Sequence, residues 1–299
     1  MTQSQQPLCL YHGSCLDGFG AAWAVNYALH GDVELVPCTY GEDPPSTAGR
    51  DVLMVDFAYK WPVMERIGKE AHSLLVLDHH VSAQDDLEPI DIGHPDYINY
   101  ARYAAAQQVG AVFDMARSGA GIAWDTLVGE TRPLLLNYVE DRDLWRFALP
   151  HSREVHAGLA SWPLDLAEWS HIIRGGQAAI VALGLDGVAL ERKARADIAM
   201  LLPIVRRRMV IGGYDVPVAN MPITMTSDAG ALMAVGEPFA ACYWDTPNGR
   251  VFSLRSNPDG LDVSKVAVLL GGGGHPHASG FTMPRGWEGD EAPSRRERA

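Results

Sequence analysis

Three apolar runs in the first third of the chain end in side chains able to hold a metal ion. Residues 8–11 (LCLY) lead into His12, residues 52–55 (VLMV) into Asp56, and residues 73–77 (SLLVL) into Asp78, His79 and His80. Carboxylate and imidazole donors in this mixture suit manganese or magnesium. The four cysteines, Cys9, Cys15, Cys38 and Cys242, lack the paired spacing of a zinc cage. Hydrolytic phosphoryl transfer needs such donors: two divalent ions about 3.5–4 Å apart clamp a phosphate and lower the pKa of a bridging water. One strand-end aspartate alone is usually a helix cap. Three such strand ends are harder to explain that way.

Near the other end, residues 271–274 are four glycines, followed by His275, Pro276, His277, Ala278, Ser279 and Gly280. Without a Cβ in the way, the amides of Gly272, Gly273 and Gly274 can converge on an anion. His275 and His277 add donors, and Arg255 can fork onto a phosphate. The plainer alternative is a flexible loop with solvent-facing histidines and a surface arginine. Arg117, Ser118 and Gly119 could form a second phosphate-facing loop at a helix start, or simply terminate and cap helices. Trp145 could stack on a base or sit in the core. His72, His94, His151 and His156 have no motif context and read as structural.

The elements that must position these groups follow from periodicity. In the first half, strands at 8–11, 33–38, 52–55 and 73–77 alternate with helical patterns at 18–29 and 61–71, which argues for a parallel sheet covered on both faces. In such sheets ligands bind beyond the carboxyl ends of the strands, so residues distant in sequence reach one rim. From about 100 to 205 the pattern is mainly helical, with candidates at 100–117, 121–127, 133–141, 164–173 and 178–202. Beyond Arg206, paired strands around Gly212-Gly213, a helix capped by Ser227 or Asp228, a second strand pair and another helix form a smaller α+β unit. The expected domains are 1–195, a helical linker at 196–206, 207–285, and a loose polar tail at 286–299.

The chain has 299 residues, 47% of them hydrophobic and 20% charged, with a net charge of −13. That length supports two cores. A protein gripping long duplex DNA carries a basic stripe, and none is visible, so a phosphate-ester substrate should be short. No uninterrupted apolar run approaches the ~20 residues that span a bilayer, and the start lacks the pattern of a signal peptide. A cytoplasmic protein with no membrane partner is expected.

Taken together, Asp78-His79-His80 after an apolar strand, Asp56 closing the preceding strand, and the GGGGHPHASG segment resemble the DHH/DHHA1 phosphoesterases. That family includes RecJ-type exonucleases, oligoribonucleases, cyclic-dinucleotide phosphodiesterases and, more distantly, family II inorganic pyrophosphatases. The motifs span nearly the whole chain. The resemblance implies a parallel-sheet α/β DHH domain, a smaller α+β DHHA1 domain and a cleft between them. It also implies one or two Mn²⁺ ions, or Mg²⁺ or Co²⁺ in their place. Asp56 would bridge the metals, His79 would ligate one, His12 and Asp17 would bind opposite ions, His80 would face the phosphate, and Asp78 would support His79. The fourth-motif ligand falls in Glu140-Asp141-Arg142-Asp143, with Asp141 favoured and Asp143 the runner-up. Arg255 and the glycine segment would grip substrate.

One departure stands out. The family's first motif usually carries two aspartates after the histidine, whereas His12-Gly13-Ser14-Cys15-Leu16-Asp17 has one. Cys15 could complete the site, Ser14 could act through water, or the site could be partly vacant. The expected activity is hydrolysis of phosphodiester or phosphomonoester bonds in short oligonucleotides or nucleotides by metal-activated water. The alternatives are an impaired nucleotide-binding regulatory protein and a short-chain polyphosphatase. The oligomeric state is left open, a dimer being one option.

Overall fold

Apolar runs buried on both sides become parallel strands because each face of the sheet needs a cover. The computed structural model describes residues 6–13, 15–95 and 97–290; Ser14 and residues 291–299 of the expected tail lie outside them. Contacts divide the chain into two units, Met1–Glu191 and Arg192–Ala299.

The first unit runs β1 (Leu8–His12), α1 (Leu16–Ala28), β2 (Glu34–Cys38), β3 (Asp51–Val55), α2 (Trp61–Glu70), β4 (Ser73–Asp78), α3 (Val81–Leu87), α4 (Tyr100–Ala105), β5 (Val109–Phe113), α5 (Gly119–Leu127), α6 (Leu134–Asp143), α7 (Ser152–Leu159) and the start of α8 (Leu166–Val205). Its five strands are all parallel, in the order β2-β1-β3-β4-β5. Alternate residues serve opposite faces. Leu53, Val55, Leu75, Leu77 and Val112 join a core with α1, α5 and α6. Val52, Met54, Leu74, Val76 and Phe113 join Met64 and Ile67 of α2 and Ala83 and Leu87 of α3 on the other. The chain order reverses between β1 and β3, the switch point where open α/β sheets place their ligands. His12 and Asp56 close those two strands.

Two expectations need correction here. Residues 100–117 are not one helix: α4 stops at Ala105 and β5 follows. The alanine-rich stretch before β5 reads as helix, but Val109–Phe113 pairs along β4 and closes the sheet edge. The expected helices at 164–173 and 178–202 both fall in α8, which is broken at Gly176 (φ 53°, ψ −133°). An 18-residue window of α8 reaches mean hydropathy 1.3 and is 22% buried, so by length and composition it could cross a membrane. It is not an uninterrupted apolar run, because Arg174, Asp186 and Glu191 punctuate that helix.

The second unit continues from α8 through β6 (Arg206–Ile211), β7 (Tyr214–Asn220), α9 (Thr226–Met233), β8 (Ala240–Thr246), β9 (Gly249–Arg255), α10 (Val263–Leu269), β10 (Gly273–His275) and β11 (Ala278–Met283). Its six strands lie in the order β10-β11-β9-β8-β7-β6, antiparallel except where β7 meets β8. Val263, Val266 and Ala267 of α10 cover one face; Ile198 of α8 and Ala229 and Met233 of α9 cover the other. Ser227 and Asp228 lie inside the first turn of α9, whose N-cap is Met225. The first residues of the expected tail are anchored: Trp287 packs edge-on against Phe252, Arg250 Nη1 donates to Glu288 at 2.8 Å, and Asp290 accepts from Gly213 N at 3.0 Å.

Candidate metal centre

Four chain segments bring donors to the switch point. Asp56 follows β3 in the left-handed region at φ 53°, a conformation that aspartate tolerates better than most residues but still at a cost of about 1–2 kcal/mol. Its two oxygens serve different neighbours. Oδ2 lies 3.5 Å from His12 Nδ1, and Oδ1 lies 3.1 Å from His79 Nε2. His79 Nε2 is also 3.7 Å from Asp17 Oδ2 and 3.6 Å from Asp143 Oδ2. Donor atoms of His12, Cys15 and Asp56 lie within 4.8 Å of one another, as do those of Asp17, His79 and Asp143, and those of Asp56, Asp78, His79 and His80. Asp56 therefore stands between two donor sets.

Asp17 is fixed by the start of α5, where Gly119 N and Ala120 N donate to its Oδ2 and Oδ1 at 2.6 and 3.0 Å. The positive end of a helix is a natural seat for an anion, and here the anion is the protein's own carboxylate. A Cβ at Gly119 would fall 2.4 Å from Asp56 Cβ, and one at Gly18 would fall 2.3 Å from His12 O. Only glycine lets the start of α5 come this close to Asp56, and α1 this close to the end of β1.

The structure corrects several of the expected roles. Asp141 turns away from the cluster and accepts from Ala148 N and Leu149 N at 2.9 and 3.2 Å. Residues two apart on a helix are about 200° apart around its axis, so Asp143 faces His79 when Asp141 cannot. Ser118 is fully buried and caps α5 by accepting from Gly121 N at 3.2 Å. Arg117 is taken up by Asp114 at 2.7 Å and Asp125 at 3.1 Å. Both side chains are thus engaged within the loop itself, as the capping alternative expects. Asp78 supports His80 rather than the His79 ring: its Oδ1 accepts from His80 Nδ1 at 2.7 Å and from His79 N at 2.7 Å.

In the second unit, Arg255 donates to Ser227 Oγ at 2.8 Å, Ser253 Oγ at 3.0 Å and Leu254 O at 2.7 Å. His277 Nδ1 and Ser256 Oγ share a hydrogen bond at 2.9 Å, and the main-chain oxygen of His275 accepts from Ser279 Oγ at 2.7 Å. The amides of Gly271 and Gly272 close the end of α10, bonding Val268 O and Ala267 O. Gly273 and Gly274 pair with Gly280 and Ser279 across the β10–β11 hairpin. The glycine run thus has a structural job in the hairpin.

Three contributors carry roles that the sequence did not assign to them. Glu140, buried on α6, accepts from Ser118 N at 3.1 Å and pairs with Arg132 at 2.9 Å and Arg146 at 3.2 Å, tying the α5 loop to the helix that carries Asp143. Tyr40, half exposed after β2, sets its ring edge-on to His12 at 5.6 Å. Gly119 entered only as part of a loop. Trp145 is 37% exposed rather than core, with the Arg142 guanidinium 4.2 Å over its ring.

The electrostatics are those of a cation seat. Burial raises Asp17 well above the ordinary carboxylate range, and the charges of Asp56 and Asp143 push the same way. Burial also opposes ionisation of Asp56, but hydrogen bonds from His12 and His79 outweigh it and hold that carboxyl far below its usual value. Burial works against a charged His12, yet Asp56 and Cys15 lift it to about 11. His79 is raised against burial in the same way, by Asp56 and Asp143. Burial raises the Cys15 thiol. Imidazole protons thus stand where metal charge would, and a bound metal displaces such protons. Asp78 Oδ2 is buried with no hydrogen-bond partner among the described residues, a lone acceptor that a divalent ion could satisfy. With three carboxylates and two imidazoles besides, the donors fit a divalent metal.

No family model matches the chain. An uncharacterized protein of Acanthamoeba polyphaga mimivirus is 28% identical over 308 residues, which cover 94% of this chain and 68% of that protein. Among solved structures, RecJ of Thermus thermophilus in complex with Mn²⁺ is similar at TM-score 0.47 and 16% identity, over 93% of this chain and 50% of RecJ. A pGpG-specific phosphodiesterase of Vibrio cholerae is similar at TM-score 0.46 and 14% identity, over 93% of each chain. What the fold and the donor set define is a two-unit protein whose α/β unit carries a metal-capable centre at its switch point. A DHH-domain structure is also similar, at TM-score 0.48 and 14% identity, over 98% of this chain and 84% of that chain.

Proposed function

We propose that this chain is a metal-dependent phosphoesterase of the DHH/DHHA1 type, acting on short oligonucleotides or nucleotides. The observation that carries the reading is the meeting of His12, Asp17, Asp56, His79 and Asp143 around shared donor distances at the sheet's switch point. His12 would sit on one side of Asp56, with Asp17, His79 and Asp143 on the other. Divalent ions held there would supply charge neutralisation and an activated water. The protein's own part is to fix the donors. Asp78 orients the His80 ring, whose proton can be offered to a phosphate oxygen, a form of electrostatic stabilisation. Arg255, Gly272, Gly273, Gly274, His275 and His277 are proposed as substrate contacts on the motif resemblance. The acidic chain, at net charge −13, favours short substrates over long duplexes. Free cysteines fit a reducing, cytoplasmic setting.

The test is a panel of dinucleotides, short RNA and DNA oligomers, nucleoside bisphosphates and short polyphosphate, each with Mn²⁺, Mg²⁺ or Co²⁺, followed by product identification. Turnover of a short nucleotide ester with release of a phosphomonoester or phosphate is expected. Binding without turnover across the panel would point to a nucleotide sensor instead, and cleavage confined to polyphosphate would replace the substrate class.

A further inference from the structure

We infer that Cys15 is a metal ligand, so that one of the two donor sets around Asp56 is a mixed nitrogen, oxygen and sulfur site. The inference rests on the metal-dependent reading above and deepens it. Three observations carry it. The Cys15 sulfur lies in one donor group with His12 and Asp56, all within 4.8 Å. Cys15 is the N-cap of α1 and makes no side-chain capping bond, so its side chain is not engaged in holding the helix start. The thirteen-residue α1 places its positive end at that position, so a sulfur that has given up its proton to a bound metal would lie against a favourable helix end. Asp56, the shared member, is buried at 1% exposure, and the neighbouring group contributes the unpartnered Asp78 Oδ2.

The chemistry is a simple exchange. The thiol gives its proton to solvent as the sulfur–metal bond forms, and nothing is oxidised or reduced. The consequence concerns metal choice. A set of imidazole, carboxylate and thiolate prefers zinc or cobalt over magnesium, whereas Asp17, His79 and Asp143 offer only oxygen and nitrogen and suit manganese or magnesium. The two sides of Asp56 therefore differ in the ions they select.

Cobalt titration of the metal-free full chain tests this by spectroscopy rather than turnover. The wild type should develop visible d–d bands together with a near-ultraviolet thiolate-to-cobalt charge-transfer band. Cys15→Ser should lose the charge-transfer band, keep d–d absorption, and bind zinc at least ~10-fold more weakly, which is 1.4 kcal/mol; Cys38→Ser should keep the band. A second measurement needs no variant. Iodoacetamide followed by peptide mapping should label Cys15 in the metal-free chain, and saturating zinc should protect it. Cobalt d–d bands without a charge-transfer band, or equal labelling with zinc bound, would overturn the Cys15 assignment and leave the metal centre standing. A band that survives in Cys15→Ser would assign it to another thiol and overturn it equally. The absence of any cobalt spectrum would overturn the metal centre along with it.

Discussion

Asp141 and Asp143 sit two residues apart on α6 and do different work, so their substitutions should separate two kinds of loss. Asp143→Ala removes a donor beside His79 and is expected to cut metal affinity and turnover while leaving thermal stability of the metal-free chain within about 0.5 kcal/mol, as for a substitution outside the packed core. Asp141→Ala leaves the amides of Ala148 and Leu149 without their acceptor and should cost roughly 1–3 kcal/mol of stability, with metal stoichiometry kept in the folded fraction. Denaturant melts and metal analysis on the two variants check both halves. The resemblance pointed at the 140–143 segment and could go no further. Which aspartate faces the cluster depends on the rotation of α6, which the contacts of Glu140 and the packing of Val139 in the core set and which the four motif residues do not reveal by themselves.

At the scale of elements, the centre depends on how closely α5 approaches Asp56. Gly119→Ala would put a methyl group 2.4 Å from Asp56 Cβ and 3.0 Å from Asp17 Oδ2. The start of α5 must then move, and both amide bonds to Asp17 are lost or lengthened. A drop in metal affinity of ~10-fold or more is expected, with little change in the far-ultraviolet circular dichroism spectrum; calorimetric titration of Mn²⁺ reads it. Strands β1, β3 and β4 were legible because they are uninterrupted apolar runs with chemistry at their ends. β5 was not, because Gly110 and an alanine-rich approach hide its period. The role of Ser118 was legible only as two options, since a phosphate loop and an N-cap use the same residue types at a helix start. The burial of Ser118 and its bond from Gly121 N are those of a cap.

For the whole molecule, metal and fold should be linked. A ligand that binds only the folded state raises stability by about 2.7 kcal/mol at 100 times its dissociation constant. Mn²⁺ added to the chelator-treated chain should therefore raise the melting temperature in a concentration-dependent way, and EDTA should reverse the shift. Flat melting curves across the titration would mean that no folded-state site exists. The change of pattern beyond Arg206 leads to an expected boundary at 195–206, within or just after a long helix, and contacts divide the chain at Glu191–Arg192, inside α8. A helix that continues from one unit into the next gives no compositional mark of where the first core ends.

The most direct test of the central claim is calorimetric titration of Mn²⁺ into metal-free wild type and Asp56→Ala, with circular dichroism confirming that both are folded. Asp56 touches both donor sets, so the wild type should bind at least one ion per chain and the variant should lose most of that binding. Equal stoichiometry and affinity in the two proteins would contradict the account.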